Sequence, residues 1–198
     1  EGTSKLGSRT SGRKMHDCVI IIPSADSVEL LEAHLRCLLK QTTRDFDVII
    51  IGKPPRKVPQ KLNVITYREN YHLGSSGGFG IGQVLAYSLG YEYVINADVD
   101  ATPLSRDLVE KLVTLAKTEG RSILPHTASY RNGNMVLAGG YVHNQYGVCT
   151  RDQFEKIGFE YFRLFKGSED VDYHERMLME DVVKHEDSIR VQHKNHLF

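Results

Sequence analysis

Three cysteines in 198 residues, Cys18, Cys37 and Cys149, are too few and too scattered for a disulfide framework or a zinc site. Cys18 and Cys37 lie among apolar residues, where a thiol behaves as a small hydrophobe, and a reducing cytoplasm is the simplest compartment for such a chain. An excess of charge is also missing. The 25 Lys and Arg balance the 25 Asp and Glu, which leaves no basic footprint for nucleic acid. No apolar run approaches the ~20 residues that span a bilayer, and no apolar signal segment stands near the start. What remains is ordinary globular usage, since 40% hydrophobic residues can build one sizeable core. The expected setting is cytoplasmic, with peripheral contact at the inner face of the membrane left open.

Residues 1–14 are small, polar and basic and show no periodicity, so they are expected to form a disordered arm or an expression remnant. A single domain is expected over residues 15–198. It opens on the apolar run Cys18 to Pro23, which suits a strand buried on both faces of a parallel sheet. Val28, Leu31, Leu35, Leu38 and Leu39 then form one helical stripe, with Asp26, Ser27 and Glu29 as capping candidates. Asp47 to Ile51, Leu62 to Thr66 and Tyr91 to Ala97 read as further strands, and Ser105 to Lys117 as an amphipathic helix with Gly120 beyond its end. Gly74 to Gly82 reads as a glycine-rich loop entering a short helix. Later strands are expected near Ile123, near Val136 and over Ser188 to His193, with helices over Arg151 to Ile157 and Val171 to Val183. Strands alternating with helices imply an α/β fold with a mostly parallel sheet, whose ligands bind beyond the carboxyl ends of the strands.

Four segments carry candidate chemistry. Asp98 and Asp100 follow a buried strand, and carboxylates two apart in extended chain point the same way. They suit a divalent cation that offsets the charge of a departing diphosphate, or else form a polar turn. The glycines from Gly74 to Gly82 either let a phosphate approach the backbone or supply a flexible connection. Glu169, Asp170 and Asp172 crowd a helix start, where they serve as caps or offer a carboxylate general base, and Arg176 can steady one of these charges or a phosphate. His193 ends a strand, as a structural or surface histidine or as an imidazole ligand joining the two Asp carboxylates.

In order and spacing, these segments resemble the inverting, family-2-type glycosyltransferases of the GT-A fold, from about Cys18 to His193. CVIIIPSADSVELLEAHLRCLLKQTTRDFDVIII is similar to that family's first strand, helix and second strand. ENYHLGSSGGFGIGQVLAYSLGYEYVINADVD is similar to its Asn, glycine-rich helix and Asp-x-Asp block. GVCTRDQFEKIGFE with GSEDVDYHERM resembles its acceptor-side segment, and SIRVQH its late strand ending in a metal-binding histidine. The glycine block and EDVD are most similar to the rhamnosyl- and galactofuranosyl-transferase branch.

The resemblance implies a three-layer α/β/α fold and a nucleotide diphosphate sugar donor, with Mn2+ or Mg2+ held by Asp98, Asp100 and His193. It implies Asp170 as base helped by Glu169, and a donor site at Pro23, Ser24, Asn70, Gly74, Gly78, Asp98 and Asp100. Gly139, Gly140, Asp172 and Arg176 would lie on the side of a glycan or lipid-linked acceptor. Two departures stand out. Gly52 and Lys53 follow the second strand where the family has an acidic residue, and Gly78 to Gly80 replace its Ala-Arg-Asn. Acceptor-binding segments that often follow the histidine are expected in a longer natural protein. Two rivals remain. A sugar-phosphate nucleotidyltransferase would carry a glycine-rich loop with Arg and Lys after the first strand, where this chain has PSADSVE. A non-catalytic sugar-nucleotide-binding domain would not need the full acidic set.

Overall fold

The computed structural model describes residues 15–25, 28–69, 73–131, 134–161 and 169–193. The expected arm at residues 1–14, the capping candidates Asp26 and Ser27, and Asn70 lie outside the described residues. Continuous apolar runs build the centre. β1 (Cys18–Ser24) and β2 (Phe46–Gly52) pair in parallel, β3 (Val64–Tyr67) joins β2, and β4 (Tyr93–Ala97) lies on the other side of β1, also in parallel. The alternation of side chains sends Ile20, Ile22, Val48 and Ile50 to one face, and Val19, Ile21, Ile49 and Ile51 to the other. Each face is covered by helices, which is why both sets are apolar.

The first face meets α1 (Val28–Leu38) and α3 (Leu108–Glu119). Leu31, Leu35 and Leu38 of α1 and Leu108, Leu112 and Ala116 of α3 are buried there. Each fully buried leucine contributes about 1.5–3 kcal/mol relative to exposure. α3 ends at Gly120, whose φ of 63° supplies the left-handed cap expected from its sequence. The second face meets α2 (Gly74–Ser88), α4 (Arg151–Ile157) and α5 (Glu169–Met179) through Phe79, Ala86, Phe154, Tyr173 and Met177. The expected layered α/β fold is thus observed.

The second half of the sheet is mixed. β8 (Gln145–Thr150) runs antiparallel to β4, and the order continues through β6 (Ser122–Arg131) and β9 (Val183–His193) to β5 (Ala101–Pro103). β7 (Asn134–Tyr141) is an antiparallel partner of β6. The helix expected to reach Val183 stops at Met179, and the strand expected from Ser188 starts at Val183, where parallel pairing with β6 takes over.

The glycine-rich segment is not a loop. Gly74 opens α2, and Gly78 and Gly82, one turn apart, face β1. A Cβ on Gly78 would come within 2.7 Å of the Pro23 Cβ, and one on Gly82 would collide with the Ile21 side chain. The helix backbone lies too close to the strand for any side chain, which is the physical reason these positions are glycine.

Candidate functional site

β4 runs out at Ala97, and the chain turns over Asp98 to Asp100 before entering β5. The Asp98 carbonyl accepts the Ala101 N–H at 2.9 Å, and the Asp98 N–H donates to the Asn144 carbonyl at 2.8 Å. β5 pairs antiparallel with β9 in a register that sets Ala101 opposite His193. Residues separated by more than ninety positions therefore meet: His193 Nε2 lies 3.2 Å from Asp100 Oδ1, both side chains being mostly shielded. One ligand atom from each of Asp98, Asp100 and His193 lies within 4.8 Å of the others.

This donor set can hold a divalent cation. Two carboxylates and one imidazole suit Mn2+, and the carboxylates also suit Mg2+. Ligand atoms on one six-coordinate ion with bonds of about 2.1 Å stand about 3–4.2 Å apart, a spacing that small side-chain rotations would reach.

Behind the turn stands His34 of α1, buried on the helix stripe between Leu31 and Leu35. Its Nδ1 is 3.2 Å from the Val99 carbonyl and its Nε2 is 2.6 Å from the Tyr146 hydroxyl. Burial pulls the His34 pKa down to about 4, so the ring is neutral at pH 7. Sequence reading passed over His34, although a polar residue at a core position of an apolar stripe is a signal. A second buried polar group lies on the other face of the sheet. The Asn96 amide and the Gln83 amide, the latter at 3.3 Å, both meet His143 Nε2. Burial pushes His143 down to about 3.

Two donor-side candidates, Pro23 and Ser24, end β1, and a third, Gly78 of α2, lies against Pro23. Pro23 contacts the Gly78 face of α2, and Ser24 is buried. The β1 and β2 ends are stitched by Lys53 N–H donating to the Ser24 carbonyl at 2.7 Å, with Gly52 at φ 109° where a Cβ would strike that same carbonyl oxygen. Gly52 thus answers a close backbone approach, which explains why no acidic side chain occupies the position.

The remaining candidates sit on other elements. Asp170, in the first turn of α5, accepts the Val171 N–H at 2.9 Å through Oδ1. Glu169 begins the same helix. Asp172 binds the Arg176 guanidinium at 2.8 Å, one turn away. That guanidinium also donates to the carbonyls of Ile157, at 2.7 Å, and Phe159, at 3.2 Å, and lies 4.8 Å from the Tyr173 ring centre. Arg176 therefore ties α5 to the end of α4 and the segment after it, a structural use that its sequence position did not announce. Gly139 and Gly140 fall on β7, with Gly140 exposed.

No protein-family model and no curated protein sequence matches the chain. Solved structures do. Residues 1–349 of S. aureus TarS superpose with a TM-score of 0.69 at 15% identity, over 89% of this chain and 60% of that one. The mannosyltransferase PcManGT from Pyrobaculum calidifontis, solved with GDP-Man and Mn2+, gives a TM-score of 0.67 at 13% identity, over 89% of this chain and 56% of that one. The same TarS fragment has been solved with UDP. The chain thus spans about six-tenths of the length of these glycosyltransferase structures. Its fold is the glycosyltransferase-like α/β fold of the GT-A kind.

Proposed function

We propose that the chain is a metal-dependent glycosyltransferase domain that moves a sugar from a nucleotide diphosphate donor to an acceptor hydroxyl. The observation that carries this reading is the convergence of Asp98, Asp100 and His193 at the carboxyl edge of β4. It stands in a fold whose neighbours include a mannosyltransferase bound to GDP-Man and Mn2+. A divalent cation held there would offset the charge that develops on a leaving diphosphate.

Pro23 and Ser24 at the end of β1, with Gly74 and Gly78 of α2, would form the donor side. The bare face of α2 leaves its backbone near the strand end where the donor would lie. Asp170 is the proposed base, and Glu169 its helper. Its carboxylate would take the proton of the acceptor hydroxyl as that oxygen bonds to the anomeric carbon. The bond from that carbon to the diphosphate oxygen would break on the opposite side, carrying its electron pair away with the diphosphate and inverting the centre. The acceptor would be a glycan or a lipid-linked hydroxyl.

The test is thermal stability of the chain with UDP, GDP and other nucleoside diphosphates, and with their sugars, each with and without Mn2+. One nucleotide should raise the melting temperature in a Mn2+-dependent way, because a ligand that binds only the folded state stabilises it. No shift with any nucleotide in the presence of Mn2+ would overturn the reading.

A further inference from the structure

We propose that His34 and Tyr146 are positioning residues that set the shape of the Asp98–Asp100 turn and hence its affinity for a divalent cation. The inference rests on the metal-site reading above and adds two side chains that reach the site from other elements.

Val99 stands between the two candidate carboxylate ligands, and its carbonyl is the point His34 grips, at 3.2 Å. A carbonyl can only accept, so Nδ1 must carry the proton, and Nε2 is then the acceptor for the Tyr146 hydroxyl at 2.6 Å. One tautomer satisfies both partners. The rings also stack, with centroids 5.6 Å apart and planes 17° from parallel. Both residues are buried. The His34 ring therefore has one orientation, and the peptide plane joining Val99 to Asp100 is fixed with it. On the other side of the turn, Asn144 holds the Asp98 N–H at 2.8 Å. Asn144 precedes β8 and Tyr146 lies in it, so this stretch braces the turn directly through Asn144 and by way of His34 through Tyr146.

Tyr146 has a φ of 66°, a left-handed conformation that is unfavourable for a bulky side chain. The surrounding structure holds that strained backbone while its hydroxyl meets His34. Side chains that orient the holders of a metal without touching it change affinity by about 10–100-fold when removed.

The experiment measures Mn2+ binding to the whole chain from the electron paramagnetic resonance of free Mn2+, alongside melting temperature without metal. His34→Leu should weaken binding about 10–100-fold. Tyr146→Phe, which removes one oxygen and keeps the stacked ring, should weaken it several-fold with little change in fold. His34→Asn, whose amide can offer an N–H near the Nδ1 position, should recover much of the loss. Normal Mn2+ affinity in both His34→Leu and Tyr146→Phe, with only the melting temperature lowered, would overturn the proposal; if His34→Leu does not fold, Tyr146→Phe decides. Asp100→Asn separates the two readings. Unchanged Mn2+ binding in that variant would place the ion elsewhere and sink the site itself, and the positioning role of His34 and Tyr146 with it.

Discussion

His143 is a neutral imidazole held away from water, and burial pulls its pKa from the ordinary 6.5 to about 3. The unfolded chain takes up a proton near pH 6.5, while the folded chain refuses it until about pH 3. Stability therefore falls as pH drops through this window, by up to about 1.4 kcal/mol per pH unit, and is unaffected by this group above it. Urea denaturation of the wild type and His143→Gln between pH 7 and pH 4 should show a flatter pH slope in the variant, by about one proton. Asp170 is tested by activity instead. Asp170→Asn keeps the size and removes the basicity, so transfer should fall by roughly 10²–10⁴-fold. Donor binding with Mn2+ should change little, because Asp98 and Asp100 would hold the donor. Loss of donor binding would move Asp170 out of the base role.

The elements divide into those a sequence announces and those it does not. β1, β2 and β4 were legible because a strand covered on both faces must be apolar throughout, and α3 because its stripe and its Gly120 cap agree. β5, three residues long, and β8, which was not expected as a strand, owe their form to partners far along the chain. Local pattern cannot report such pairing. Glycine in α2 misled for a related reason: it reads as a loop former until β1 is known to lie against it, although Gly74, Gly78 and Gly82 recur every fourth residue, which is helical spacing. The site shows the same division, since Asp98, Asp100 and His193 were visible as strand-end residues while His34 was masked by its apolar neighbours. The packing sets a clear expectation for Gly82→Ala. Alanine favours an exposed helix by about 1 kcal/mol, but here its methyl would meet the fully buried Ile21. The overpacking cost of about 1–3 kcal/mol should win. Chemical denaturation should show net destabilisation, whereas Val84→Ala on the exposed side of the same helix should be nearly neutral.

Across the whole molecule, protection should follow the sheet. β1 is flanked by β2 and β4 and buried on both faces, whereas β7 lies off the main path beside β6. Hydrogen exchange should be slowest in β1, β2 and β4 and faster in β7; equal rates throughout would contradict this arrangement. The position of β9 bears on how the protein is made. It lies between β6 and β5, although both precede it in the chain, and β5 is held in the sheet through β9. A growing chain on the ribosome can lay down β1, β2 and β4 early. Until Val183–His193 has left the exit tunnel, however, β5 lacks this partner and Asp100 lacks the histidine beside it. Chains interrupted before that point would expose open strand edges of the kind that invite aggregation, so synthesis of this last described strand both joins β5 to the sheet and first brings the three candidate ligand residues together.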